Sequence, residues 1–180
     1  MSLTEILKAP KCGKIPDVHG PLYERLFSTL LHRTPISLLE IGVWYGESLR
    51  AWKKFFGDQV RLYGIDTQLV RGCEDLATYF IGDQSYDPFM EHVARLVGSL
   101  DIVIDDGGHF ADDQQVSFKH LWPVVSKGGI YIIEDLWVAD DRAVRGFEST
   151  LAFLDKLPYR KEFYKGTNDF EKDICVLFKE

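Results

Sequence analysis

The sequence predicts an α/β fold: a doubly wound, mostly parallel seven-stranded sheet that ends in a C-terminal antiparallel hairpin. Three observations lead there. Short apolar runs alternate with segments of helical period, the pattern of a parallel sheet covered on both faces. Each of the first five runs ends in an acid or a glycine. The last two runs follow one another with no helix between them.

The elements follow in order. An amphipathic helix is expected over Pro21 to His32, with Leu22, Leu26, Phe27, Leu30 and Leu31 inward. Lys8 to Gly20, ahead of it, is punctuated by proline and glycine and reads as an arm or lid. Ile36 to Ile41 is the first strand and runs into Gly42. Ser48 to Phe56 has helical spacing, with Leu49, Trp52, Phe55 and Phe56 on one side. Val60 to Ile65 is the second strand, ending at Asp66, and Thr78 to Ile81 the third, ending at Gly82-Asp83. A helix over Pro88 to Val97 precedes the fourth strand, Leu100 to Ile104, which ends in Asp105-Asp106. A helix over Asp112 to Val125 leads to the fifth strand, Gly129 to Ile133, ending in Glu134-Asp135. A further helix spans about Ala143 to Leu157, with Arg142 and Arg145 on a solvated face. Tyr159 to Tyr164 and Ile174 to Lys179, joined by a Gly-Thr-Asn-Asp turn, form the hairpin.

The bulk properties bound the function. A chain of 180 residues fits one domain, residues 1–180, with residues 1–20 as its arm. A net charge of -7 argues against a sequence-independent grip on nucleic acid phosphates. Cys12, Cys73 and Cys175 are odd in number and widely spaced, which reads as reduced thiols and neither a disulfide framework nor a zinc site. The N-terminal residues lack the apolar core of a signal peptide, and no stretch is long enough to span a membrane. A soluble cytoplasmic protein is expected.

The strand ends carry the chemistry. Ligands of open parallel sheets bind beyond the carboxyl ends of the strands. Here that rim collects Glu40, Asp66, Asp83, Asp105, Asp106, Glu134 and Asp135. Clustered carboxylates repel and raise one another's pKa, so a cationic or hydrogen-bond-donating ligand belongs there. The first turn runs from Glu40 through Gly42 and Gly46 to Ser48; Gly42 allows close backbone approach and Gly46 eases entry into the helix. It is not Gly-x-Gly-x-x-Gly, so the dinucleotide fingerprint fails. By itself this turn is equally a plain strand-to-helix connection. Asp66 can accept both ribose hydroxyls of an adenosine ligand, or simply cap a turn. Asp83 and Gln84 suit an adenine edge or ribose, or an Asx-type turn. Asp106, Glu134 and Asp135, all oxygen donors from adjacent strand ends, suit Mg²⁺. His109 beside them suits a general base, because histidine exchanges protons near neutral pH. Asp112 and Asp113 read as first-turn helix acids favoured by the dipole. His32, His92 and His120 read as surface or helix residues, and His19 stays undecided. Trp137 fits either a ligand face or the core.

These motifs resemble a known family. Leu39 to Leu49 resembles motif I of class I S-adenosylmethionine-dependent methyltransferases. More narrowly, four further segments resemble the metal-dependent sugar O-methyltransferases of the macrocin and mycinamicin type and their cephalosporin-hydroxylase-like relatives. They are Leu22-Tyr23-Glu24-Arg25-Leu26-Phe27, Gly82 to Ser85, Ile104 to His109 and Gly128 to Asp135, so the likeness runs from about Pro21 to Trp137. The resemblance implies a Rossmann-like fold and a transferase acting on a hydroxyl of a sugar or glycosylated natural product. It implies S-adenosylmethionine contacts from Glu40, Gly42, Gly46, Ser48, Asp66, Asp83 and Gln84, with Asp105 on the cofactor side. It implies Mg²⁺ on Asp106, Glu134 and Asp135, and His109 as base. The implied partner is a small hydroxylated acceptor, with no nucleic acid and no membrane; homo-oligomer formation stays open. Two departures stand out. Antibiotic-tailoring members are longer, and Trp44 and Tyr45 add bulk where many methyltransferases have a middle glycine. Two rivals share the fold: a nucleotide-dependent oxidoreductase, and a non-catalytic S-adenosylmethionine-binding module.

Overall fold

Strand β1 (Ile36–Ile41) is buried along its whole length and lies at the centre of the sheet. The computed structural model describes residues 1–137, 146–166 and 171–180. Strand β2 (Val60–Asp66) and β4 (Leu100–Asp105) flank β1, both parallel to it. Outside them lie β3 (Thr78–Ile81) and β5 (Val125–Ile133), also parallel. Strand β7 (Ile174–Phe178) pairs antiparallel with β5, and β6 (Lys161–Tyr164) antiparallel with β7. Among the described residues the order is β3-β2-β1-β4-β5-β7-β6, seven strands in one sheet, as the sequence predicts.

Alternation along the strands feeds two cores, because successive side chains point to opposite faces. Leu38, Leu62, Ile102, Ile104, Ile130 and Ile132 pack under α1 (Leu3–Ile6), α2 (Pro16–Ser28) and α3 (Glu47–Phe56). Leu39, Ile41, Val103, Tyr131, Ile133 and Cys175 pack under α4 (Asp87–Val97), α5 (Ala111–Leu121) and α6 (Thr150–Lys156). Each fully buried Leu or Ile contributes about 1.5–3 kcal/mol through lost water contact. No helix among the described residues is long and apolar enough to cross a membrane.

Three boundaries depart from expectation. Helix α2 begins at Pro16, five residues ahead of Pro21, which lies inside it. Pro16 takes the first-turn place where a missing N–H costs nothing. The Ile15 N–H instead reaches His19 Nδ1 at 2.8 Å. Gly20 then lets α1 lie against α2, since a Cβ there would stand 2.4 Å from Thr4 Oγ1. Helix α5 stops at Leu121, where Trp122–Val124 tightens into a 3-10 turn at Pro123 and β5 starts at once. Strand β5 is therefore four residues longer at its start than the apolar run suggested, and its register against β4 shifts between Leu100 and Ile102. The last helix is described from Thr150, with Ser149 Oγ accepting from the Ala152 N–H. Ala143, Arg142, Arg145 and most of the Gly-Thr-Asn-Asp turn lie outside the described residues.

Candidate functional site

A cavity of about 1120 Å³ opens at the carboxyl ends of β1, β2 and β4. This is the switch point, where chain connections leave β1 and β4 in opposite directions across the sheet. Of the residues expected there, Gly42, Asp66, Asp83, Gln84, Asp106, His109 and Asp135 line it. Glu40, Gly46, Ser48, Asp105 and Glu134 do not; they lie beneath or behind its wall.

The first turn is shaped by two left-handed glycines. Gly42 has φ +84°, and a Cβ on it would stand 2.0 Å from the Asp106 carbonyl oxygen. Gly46, φ +76°, starts α3 against Cys73 Sγ. Trp44 between them also has positive φ, and its side chain is 63% exposed at the cavity mouth. Asp66 holds this turn: its Oδ2 accepts the Val43 and Trp44 N–H groups at 3.0 and 2.9 Å, and its Oδ1 the Gln68 N–H at 3.1 Å. Its carboxylate thus stays fixed on the wall. Asp83 forms the Asx-type turn, accepting the Ser85 N–H and hydroxyl at 2.8 and 2.7 Å.

Gln84 and Asp105 make a buried brace. The Gln84 amide donates to Asp105 Oδ1 at 3.0 Å and Ser117 Oγ at 3.1 Å, while its oxygen accepts the Gly108 N–H at 2.9 Å. The Gly107-Gly108-His109 turn is thereby tied to the sheet. Asp105 also accepts from the Tyr131 hydroxyl, and burial pushes its carboxyl up to about 7. Asp113, which the sequence reading left without chemistry, lines the cavity and is likewise raised by burial, to about 6.

At the ends of β4 and β5 the structure gathers Asp106, His109 and Asp135, with donor atoms within 4.8 Å of one another. His109 Nε2 lies 3.6 Å from Asp135 Oδ2 and 4.0 Å from Asp106 Oδ1. Its Nδ1 is buried with no hydrogen-bond partner among the described residues. His109 and Asp135 both adopt positive φ, which turns their side chains to the same opening. Two carboxylates and an imidazole at this spacing fit a small divalent cation.

Glu134 faces the other way. It accepts the Tyr23 hydroxyl, pairs with Lys14 Nζ at 2.9 Å and faces His19 Nε2 at 3.1 Å. Burial works against its charge, yet Lys14, His19 and Tyr23 hold its carboxyl well below the usual range. Lys14 is 2% exposed and also pairs with Asp106, with Glu40 at 3.6 Å. Burial disfavours its ammonium, but the three carboxylates overcome this and hold its pKa well above the usual lysine value. Glu40, under the floor, accepts from Ser48 Oγ at 2.7 Å, and burial raises it to about 7. Lys14 and Tyr23 went unassigned, and His19 undecided, in the sequence. Asp106 and Glu134, which they meet, lie more than 90 positions away, and no local spacing marks them.

The chain is similar to known proteins. Residues 39–136 match the family described as a methyltransferase domain. A Streptomyces olivaceus enzyme, 8-demethyl-8-(2-methoxy-alpha-L-rhamnosyl)-tetracenomycin-C 3'-O-methyltransferase, is 42% identical over 127 residues, which are 66% of this chain and 32% of that protein. Demethylmacrocin O-methyltransferase of Streptomyces fradiae is 37% identical over 145 residues, 76% of this chain and 36% of that protein. The chain thus spans about a third of these curated relatives. The solved methyltransferase MycE of the mycinamycin pathway, in complex with Mg and SAH, superposes with a TM-score of 0.81 at 28% identity, over 99% of this chain and 55% of MycE. With the family match covering more than half its length, and the sheet and cavity of that fold in place, the chain belongs to the methyltransferase-domain family.

Proposed function

We propose that this chain is an S-adenosylmethionine-dependent, Mg²⁺-assisted O-methyltransferase domain acting on a hydroxyl of a sugar or glycosylated natural product. The observation that carries the reading is a single cavity that joins Asp66, fixed by three backbone amides, to the Asp106, His109 and Asp135 group. The named activities of the relatives, sugar-directed O-methylation among them, support it, as does the Mg and SAH in MycE.

In this reading Asp66 receives ribose hydroxyls on the lone pairs that its backbone contacts leave free. Gly42 lets the ligand approach the backbone. Asp83 completes the adenosine side. Gln84 acts through the turn it braces, positioning His109. Asp106 and Asp135 would hold Mg²⁺, with Glu134, here paired with Lys14, as the third carboxylate of the reading; the ion would supply Lewis acidity that eases loss of the acceptor's hydroxyl proton. The hydroxyl oxygen bonds to the methyl carbon as the carbon–sulfur bond breaks, and the proton passes to His109 Nε2. Holding donor and acceptor in line supplies much of the acceleration.

Three free cysteines support a reducing, cytoplasmic setting. Thermal unfolding with saturating S-adenosylmethionine or NAD tests the function. Stabilisation by S-adenosylmethionine alone is expected; stabilisation by NAD alone replaces this reading with the oxidoreductase.

A further inference from the structure

We infer that Lys14 is an internal cation standing where a divalent ion would bridge Asp106 and Glu134, so that ion binding and release of the Lys14 segment are one event. The inference rests on the metal reading of the site and adds to it a residue from outside the strand ends.

Lys14 is inserted alone. Lys11, Gly13 and Ile15 around it are exposed, whereas its own side chain is 2% exposed. Its ammonium meets carboxylates from three strand ends: Asp106, Glu134 at 2.9 Å and Glu40 at 3.6 Å. Glu40 Oε1 is fully buried and has no hydrogen-bond partner among the described residues. That oxygen points at the ammonium from beyond hydrogen-bond reach, so the cluster has more acceptor capacity than one lysine fills.

Asp106 is divided between two neighbourhoods. Its Oδ2 binds Lys14, while its Oδ1 faces His109 and, with Asp135, the open cavity. Lys14 takes Asp106 Oδ2 and Glu134 Oε1, and His19 faces Glu134 Oε2, so a divalent ion held by both acids competes with Lys14 for their oxygens. The two cations also repel strongly in a site with little water. They therefore exclude one another. Among the described residues, the polar ties from residues 8–15 to the strand ends and the turn after β1 are the Lys14 ion pairs and Lys11 Nζ over the Tyr45 ring at 4.8 Å, beside the packing of half-buried Cys12 on the core. Loss of the Lys14 pairs removes the main polar anchor of this segment between α1 and α2.

A plug lowers apparent ion affinity by the fraction of time the site is open, so a plug closed in about nine molecules of ten weakens binding about tenfold. Calorimetric titration with Mg²⁺ alone should find Lys14→Met binding at least about tenfold tighter than wild type, and Lys14→Arg close to wild type. Glu134→Gln in the Lys14→Met background should weaken Mg²⁺ binding. In the unmodified protein, Mg²⁺ should speed tryptic cleavage after Lys11 and Lys14, a readout that needs no variant to fold. Equal affinities with Mg²⁺-indifferent cleavage would overturn the plug alone and assign the ion to Asp106, His109 and Asp135. Failure of every form to bind Mg²⁺ would overturn both the plug and the metal reading beneath it.

Discussion

His109 owes its place to backbone as much as to chemistry. Its φ of +61° is a conformation that most side chains avoid, and Gln84 secures the turn just before it by accepting the Gly108 N–H. Asparagine tolerates that backbone better than alanine, so His109→Asn removes the proton acceptor with little strain. Methyl transfer should fall by about 100-fold or more while S-adenosylmethionine affinity stays within error. A variant with undiminished turnover would remove His109 from the proposed role. Asp66, Asp83, Asp106 and Asp135 were legible because each ends an apolar run, where a parallel sheet delivers its side chains to one rim; Asp112 and Asp113, in the first turn of α5, reach the cavity without that signal. Which way each carboxylate points was not legible. Asp105 and Asp106 are adjacent in sequence, and strand alternation sends one into the Gln84 brace and the other to the cavity. The turn after β5, where Asp135 takes a positive φ, separates Glu134, turned to Lys14, from Asp135, turned to His109.

Helix α2 does more than cover the sheet. Its Tyr23 stacks on Phe27 and leans on Trp52, and its hydroxyl reaches through the core to Glu134. Tyr23→Phe keeps the ring packing and removes one donor from a buried carboxylate. Urea unfolding should show a loss of about 1–3 kcal/mol, the usual value of a hydrogen bond to a charged partner. No measurable change would mean that Lys14 and His19 alone satisfy Glu134. The strand runs were readable to within a residue or two for β1, β2 and β4, since burial on both faces leaves a nearly continuous apolar signal; β3, at the sheet edge and half-exposed, gives a weaker one. Helix starts were harder. Pro16 and Pro21 both offer a first-turn proline, and the choice depends on Thr4 packing against Gly20, a contact between separate elements.

The molecule buries two of its three thiols, and pH reads the burial. Cys175, in β7 between β5 and β6, is fully buried, and desolvation pushes its thiol up from 9.0 to about 12. A raised folded-state pKa gives stability that is complete below pH 9 and lost as pH rises from 9 toward 12, where the unfolded thiol ionises first. Unfolding followed at pH 8 and pH 11 should therefore show a smaller alkaline loss in Cys175→Ala than in wild type. Equal losses in the two proteins would contradict the burial argument. Whole-molecule topology was legible because alternating elements allow few parallel arrangements. The seating of the segment before α2 was not, since it is decided by one lysine finding three distant carboxylates. One contact has a consequence for how such a domain can diversify. The Gly42 Cα stands so near the Asp106 carbonyl that neither turn can change shape alone. The wall that carries Asp66 and the rim that carries Asp106 and His109 are thus constrained to vary as a single piece. What the cavity admits is freest to vary at its mouth, around the exposed Trp44.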